Sequence, residues 1–176
     1  MITYVKTDCS SFSIRVLYGV EYQNHGKGKM IMEKIGLSRF VEAHKMSYET
    51  ALAEIRRGRK ESHWMWYIFP QIHGLGFSSM SEYYAIQSTD EARAFLADPY
   101  LGGNLREISS ALLELQESNP AVIFGSPDNM KLKSSMTLFA AVSEDGSVFH
   151  LVLDKFFHGE MDHRTLEKIQ NEINAQ

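Results

Sequence analysis

Helix caps followed by apolar residues at helical spacing recur along most of this chain, and they constrain its fold more than any other feature. Residues 88–91 have the form of a capping box. Asp98, Asn119 and Ser126 each stand directly before a proline, a combination typical of a helix start. Asp162 precedes a last stretch with apolar residues three to four positions apart. The sequence therefore predicts an all-α, compact, multihelical single domain of about seven to eight helices.

Turn and cap residues predict further boundaries within this domain. Ser47 is expected to cap a second helix that ends at Gly58. Pro70 is expected to end any helix that the aromatic residues before it form. Residues 72–79 contain two glycines and predict a loop, whereas residues 148–157 are apolar on most sides and predict a buried helix.

The first 34 residues do not share the helical pattern. Residues 11–22 alternate loosely like a strand, but no partner strand is evident elsewhere, and an isolated strand is marginal in stability. Residues 1–34 carry five Lys/Arg and three Asp/Glu, a net charge of +2, whereas the rest carries 13 and 19, a net charge of −6. We therefore expect residues 1–34 to be an N-terminal extension, flexible or weakly structured, and residues 35–176 to be the helical domain.

The composition argues against several classes of protein. The chain has one cysteine, Cys9, so it cannot form an intrachain disulfide or a cysteine-based zinc site. It lacks both a membrane-spanning run of about 20 apolar residues and a secretory signal pattern, so we expect a cytoplasmic protein. The net charge of −4 argues against broad nucleic-acid binding, which depends on lysine and arginine.

The densest candidate for a functional site is the aromatic run at residues 62–71. It holds both tryptophans of the chain, Trp64 and Trp66. Such a run would either stack on a planar ligand such as a nucleobase or pack in the core as one short, buried helix. His63 is a candidate acid–base group, since its ordinary pKa lies near neutrality, but a structural histidine fits equally well.

Two groups of polar residues outside this run are also candidates for ligand binding. Arg57 and Arg59 would hold a phosphate beside the tryptophans, or would only complement the negative end of a helix. Lys131, Ser134 and Ser135 share one helix face. They would bind a polar ligand, or the hydroxyls would bond back to carbonyls of their own helix.

Residues 158–163 contain two histidines and two carboxylates, which are possible metal ligands. Gly159 as a helix stop and Asp162 as a helix cap explain the same polarity without a metal. We therefore predict no metal site.

The sequence blocks taken together resemble a known family. Two of them are specific: Ser-His-Trp-Met-Trp-Tyr-Ile-Phe-Pro-Gln at residues 62–71 and Ser-Ser-Met-Thr-Leu-Phe at residues 134–139. Their order along residues 37–166 resembles the bacterial "domain of unknown function 1810" family. The resemblance implies a compact multihelical fold and supplies no activity and no cofactor.

Polar residues within the family motifs are hard to explain as core, because burying each one unpaired costs about 1–3 kcal/mol. They are expected either to form a closed hydrogen-bonded network or to line a pocket. These residues are His63, Gln71, Tyr84, Asp128, Lys131, Ser134, Ser135, Thr137 and Asp154.

Two functions are compatible with these residues. The first is a small-molecule site for a nucleotide-like or ADP-ribose-like ligand, and the protein would then be a binding protein or an enzyme. The roles expected in it are stacking by Trp64 or Trp66, phosphate binding by Arg57, Arg59 or Lys131, proton transfer by His63 or Asp154, and polar contacts by Gln71, Tyr84, Ser134, Ser135 and Thr137. The second is a non-enzymatic regulatory or protein-interaction module, whose mark would be an exposed apolar patch.

Overall fold

The computed structural model of the chain describes residues 13–15, 21–23 and 36–175. It divides into two units, residues 1–38 and residues 39–176. The second unit holds the helical part of the chain.

The first unit contains a small antiparallel pair of strands, β1 (Ser13–Arg15) and β2 (Glu21–Gln23). Ile14 pairs with Tyr22 at the centre of the register. The expectation that the strand-like stretch lacks a partner is therefore wrong. The partner strand therefore comes from the far end of the same stretch of sequence.

The chain from residue 36 to residue 175 is helical, which confirms the all-α prediction for the domain. Nine helices lie in this part of the chain, against the expected seven to eight. Within it, no helix is long and apolar enough to cross a membrane. The helices are α1 (Ser38–Arg56), α2 (Met65–Ile68), α3 (Ser79–Tyr83), α4 (Thr89–Ala97), α5 (Leu101–Glu114), α6 (Pro120–Phe124), α7 (Asp128–Ala141), α8 (Val148–Phe157) and α9 (His163–Asn174).

Four predicted capping residues accept backbone hydrogen bonds where the sequence predicts helix starts: three at the first turns of helices and one at the turn that precedes α5. Ser88, Asn119 and Asp162 each accept a hydrogen bond from a backbone N–H in the first turn of α4, α6 and α9. The Asp98 carboxylate accepts from two successive backbone N–H groups at the turn into α5. These bonds satisfy N–H groups that have no partner within a helix.

Three predicted boundaries are wrong. Ser47 caps nothing, because α1 continues through it and its hydroxyl oxygen accepts a hydrogen bond from Tyr67 Oη at 3.1 Å. Ser126 makes no capping bond, and α7 begins two residues later. The loop predicted at residues 72–79 ends in the unexpected helix α3, which Ser78 starts with a reciprocal capping box.

Four phenylalanine rings from four helices make the centre of the core. Phe95 of α4 packs 5.1 Å from Phe40 of α1 and 5.4 Å from Phe139 of α7, measured between ring centroids. Phe139 in turn packs 5.7 Å from Phe149 of α8. All four side chains are fully buried. Because aromatic pairs add about 0.5–1.5 kcal/mol to their burial, this row of rings holds α1, α4, α7 and α8 together.

Two adjacent glycines at the start of α5 are expected to respond oppositely to alanine. A Cβ on Gly102 would lie 2.2 Å from the carbonyl oxygen of Leu96, so the junction of α4 and α5 would have to move. Overpacking of this kind costs about 1–3 kcal/mol. A Cβ on Gly103 has no atom within 4 Å, and replacing a helical glycine by alanine gains about 0.5–1 kcal/mol. Urea unfolding of Gly102→Ala and Gly103→Ala measures both effects, and equal stabilities would contradict the close contact.

Candidate functional site

A buried carboxylate fixes the loop that carries the aromatic motif. Glu54, near the end of α1, is 2% exposed. It accepts hydrogen bonds from the backbone N–H groups of Glu61 (2.8 Å) and Ser62 (3.0 Å), from the Ser62 hydroxyl and from Trp64 Nε1 (2.7 Å). Burial alone raises the pKa of Glu54, but these four donors outweigh it and lower the pKa to about 2. The charged carboxylate therefore holds residues 61–64 in place.

Trp64 belongs to the core. Its side chain is 1% exposed, and its ring packs 6.1 Å from that of Phe69 and 6.3 Å from that of Phe124. The ammonium of Lys60 lies 5.3 Å from the Trp64 ring centroid. Because no face of this indole is open to a ligand, the stacking role considered for Trp64 does not fit the structure.

Trp66 is only half-buried, and it stands beside a bridge of three charged residues. Lys131 Nζ lies 4.9 Å from the Trp66 ring centroid. The same ammonium is 2.7 Å from Asp128 Oδ1, and Asp128 Oδ2 is 2.8 Å from Lys60 Nζ. Burial raises the pKa of Asp128, but the hydrogen bonds and charges of the two lysines lower it further than burial raises it. Two lysines and one aspartate leave this bridge with a net charge of +1.

Trp66 and Lys131 both line an open cleft of about 520 Å³, called the Trp66 cleft below. Four of the predicted ligand-binding residues meet in it: Trp66, Gln71, Lys131 and Ser134. Its walls come from α2, α7, the start of α9 and the segment around α3. The full lining is Trp66, Gln71, Leu75, Gly76, Phe77, Ser78, Ser81, Pro127, Met130, Lys131, Ser134, Asp162 and Arg164.

Arg57 and Arg59 line a different cleft, of about 560 Å³, called the Arg59 cleft below. Its lining is Arg57, Gly58, Arg59, Lys60, Ala121, Val122, Ile123, Phe124 and Gly125. The expectation that Arg57 and Arg59 share one site with Trp66 is therefore wrong. The backbone N–H of Lys60 donates to the Ile123 carbonyl at 2.8 Å, which ties the basic segment to α6, whereas Trp66 meets Lys131 of α7.

The hydroxyls of α7 are mostly turned into their own helix. Ser134 Oγ donates to the Met130 carbonyl at 3.2 Å, and Thr137 Oγ1 donates to the Lys133 carbonyl at 2.8 Å. Thr137 Oγ1 also accepts from the backbone N–H of Asp162, which fixes the approach to α9. Thr137 and Ser135 are fully buried and have no access to a ligand. Of the predicted hydroxyl group, Ser134 alone lines the Trp66 cleft.

His63, Asp154 and Tyr84 are not among the residues that line either cleft. His63 and Asp154 have exposed side chains, so neither lies where it would transfer a proton to a ligand bound in these clefts. Tyr84 packs 5.0 Å from Tyr67 and 4.9 Å from Tyr83, and burial raises its pKa. Tyr84 is therefore a packing residue of the aromatic cluster around α3.

Asp128, Glu54 and Arg164 shape the two clefts or the segments that carry them, and none of the three was among the predicted ligand-binding residues. Asp128 and Lys131 are three apart on one helix, a spacing that predicts their ion pair. Glu54 lies within a helix whose sequence pattern gives no hint of four donors from a following loop. Arg164 reaches the Trp66 cleft from α9, and nothing in the sequence relates it to residue 66.

The fold and the clefts define an all-α domain in which one aspartate bridges lysines of two neighbouring clefts. The chain belongs to the family described as "Protein of unknown function (DUF1810)", which matches residues 34–169 and confirms the resemblance drawn from the motifs. It is similar to the crystal structure of the conserved hypothetical protein Rv1873 from Mycobacterium tuberculosis. The two chains are 40% identical, with a TM-score of 0.76 over 78% of this chain and 98% of that one. Comparison with curated proteins found no match.

Proposed function

We propose that the Trp66 cleft binds a small anionic ligand that carries a planar ring, of the nucleotide-like class. The observation that carries this proposal is the half-buried indole of Trp66 with the Lys131 ammonium 4.9 Å from its centroid, at the wall of an open cleft. An exposed indole face stacks on nucleobases, and base–aromatic stacking contributes about 1–3 kcal/mol per base.

The charges of the lining favour an anion. Lys131 and Arg164 supply two cations, and Asp162 supplies one carboxylate. The Asp162 carboxylate is already engaged, because it accepts from the backbone N–H of Thr165 at 2.9 Å and from the Thr165 hydroxyl at 2.6 Å. Lys131 is already one of these two cations, and the rest of the bridge adds Asp128 and Lys60, whose charges cancel. A domain of net charge −6 therefore presents a positive cleft.

The size and the polar groups of the cleft suit a ligand of this class. Its volume of about 520 Å³ falls in the range of about 300–1,000 Å³ that small-molecule sites occupy. Gln71 offers an amide, and the wall around α3 carries the hydroxyls of Ser78 and Ser81, which also cap that helix. Gly76 allows its backbone to approach Ser81 closely, since a Cβ on residue 76 would lie only 2.6 Å from Ser81 Oγ. The proposal is for binding, because His63 and Asp154 lie outside the lining.

A thermal-shift screen against nucleotides, NAD and ADP-ribose tests the proposal. A ligand at about 100 times its Kd stabilises the folded state by about 2.7 kcal/mol, which raises the Tm by several degrees. We expect Trp66→Ala and Lys131→Ala to abolish the shift. Lys133→Ala is the matched control, because Lys133 lies on the same helix, pairs with Glu160 and does not line the cleft.

Absence of stabilisation by every ligand in the screen, or an equal loss in the Lys133→Ala control, would contradict the proposal. The second candidate, a protein-interaction module, would then be favoured. The observation behind it is the exposed apolar group Phe77, Met80 and Tyr83 around α3, in which Phe77 is 86% exposed.

A further inference from the structure

The Arg59 cleft has its own concentration of positive charge. Arg57, Arg59 and Lys60 line one wall within four successive positions. Two carboxylates face them: Glu61 lies 3.6 Å from Arg57 in an exposed pair, and Asp128 holds Lys60. Exposed pairs contribute only about 0–1 kcal/mol. Among the residues that the structure describes, Arg59 is in no ion pair, so the wall keeps a net charge of +1.

The backbone that carries these cations is held at both ends. The N–H of Arg59 donates to the Glu54 carbonyl at 3.1 Å, and that of Lys60 donates to the Ile123 carbonyl at 2.8 Å. Immediately downstream, the Glu54 carboxylate binds the N–H groups of residues 61 and 62. A fixed backbone lowers the entropy that a binding site loses when it orders around a ligand.

The opposite wall limits what the cleft accepts. It is formed by residues 121–125, which are apolar apart from their backbone. A Cβ placed on Gly125 would meet no atom within 4 Å, so the space in front of it is open. A compact anion that meets cations on one side and an apolar wall on the other fits this cleft. Guanidinium groups bind phosphate oxygens in pairs of parallel hydrogen bonds, which indicates a phosphate group.

We infer that the Arg59 cleft is a second ligand site, specific for a phosphate group, and that Asp128 couples it to the Trp66 cleft. A phosphate bound by Arg57, Arg59 and Lys60 competes with Asp128 for the Lys60 ammonium. Asp128 then interacts with Lys131 alone, and Lys131 is the cation beside Trp66. The phosphate site itself does not rest on the function proposed for the Trp66 cleft.

Calorimetric titration of the full chain with inorganic pyrophosphate tests the site. We expect Arg59→Ala to weaken binding by about tenfold or more, which corresponds to about 1.4 kcal/mol or more, because a charge-assisted pair of hydrogen bonds is lost. Arg56→Ala is the matched control, because Arg56 pairs with Glu107 and does not line the cleft, and its affinity should stay within about twofold of the wild-type value. An equal weakening in both variants would show binding to general surface charge and overturn the site.

Trp66→Ala separates this inference from the proposed function. Pyrophosphate binding that survives Trp66→Ala and falls with Arg59→Ala supports the second site, even when no nucleotide stabilises the protein. Binding that falls with Trp66→Ala and survives Arg59→Ala places the anion in the other cleft and overturns it. The affinities for adenosine monophosphate and for inorganic phosphate distinguish the source of the phosphate group. A higher, Arg59-dependent affinity for adenosine monophosphate identifies a nucleotide as the ligand. Equal affinities identify the free anion.

Tryptophan fluorescence tests the coupling. The chain has two tryptophans, and each lies beside one of the two bridged lysines. In Trp66→Phe the emission comes from Trp64, and we expect pyrophosphate to change it as Lys60 moves. The wild-type change minus the Trp66→Phe change gives the response of Trp66. We expect Asp128→Asn to remove that response while pyrophosphate still binds. A Trp66 response that persists in Asp128→Asn would overturn the coupling.

Discussion

Glu54→Leu is expected to lower the free energy of unfolding by about 3–6 kcal/mol, the largest effect of a single substitution considered for this domain. The change leaves the buried Trp64 indole N–H and the N–H groups of Glu61 and Ser62 without their acceptor. Each unpaired buried donor costs about 1–3 kcal/mol, and the two backbone donors, which are only partly buried, cost amounts near the lower end of that range. Total stabilities of small domains are about 5–15 kcal/mol, so this loss is a large fraction of the stability of the domain. Urea unfolding followed by tryptophan fluorescence measures the loss.

Glu54→Gln is the matched control for this prediction. Its amide oxygen can occupy the position of Oε2, which accepts the three N–H bonds, while the amide nitrogen takes the place of Oε1. The Ser62 hydroxyl, which donates to Oε1, can rotate and accept from that nitrogen. The loss is then the charge assistance alone, about 1–2 kcal/mol. Stabilities of Leu and Gln variants that agree to within about 1 kcal/mol would contradict the role of the unpaired donors.

The fold could be predicted because its signals are local. The Asp162 carboxylate, for example, accepts a hydrogen bond from a backbone N–H only three residues away. One short segment of sequence therefore contains both the cap and the start of the helix. The failures have the same physical origin. Serine is a residue type that often caps helices. Here α1 continues through Ser47, because helix formation is cooperative and the residues on either side pack on the core. Its hydroxyl instead meets Tyr67, a tertiary contact that no local pattern encodes.

The site could be predicted only in part, because its defining contacts join distant segments. The structure brings four residues of the family motifs, Trp66, Gln71, Lys131 and Ser134, to one cleft. The separation of the arginines from Trp66 depends on where the loop after α1 is anchored. That position is set by Glu54 and by the contact of Lys60 with α6. Both contacts depend on the assembled core, so a sequence pattern does not reveal them.

His44 is the second residue for which we expect a large effect on stability, although its position in the sequence gives no indication of this. His44 of α1 is 1% exposed. Its Nε2 lies 2.8 Å from the Tyr67 carbonyl and its Nδ1 lies 3.2 Å from the Asn104 amide nitrogen. These partners assign the neutral ring with the proton on Nε2, since a carbonyl only accepts and an amide nitrogen only donates. Burial lowers the pKa of His44 to about 4, although the bond to Tyr67 and the charge of Asp98 raise it.

The stability of the domain should therefore fall as the pH is lowered from about 6.5 to about 4. In that window the unfolded chain protonates this histidine and the folded domain does not, so the unfolded state binds more protons and acid favours it. The pKa difference corresponds to a loss of about 2 kcal/mol between about pH 7 and about pH 5. Urea unfolding of the wild type, His44→Gln and His63→Gln at both pH values measures it. His63→Gln is the control for replacing an exposed histidine. His44→Gln should lose most of that difference while the contribution of the carboxylates remains. An unchanged pH dependence in His44→Gln would show that His44 is protonated in the folded domain, and would contradict the buried neutral ring that joins α1 to α2 and α5.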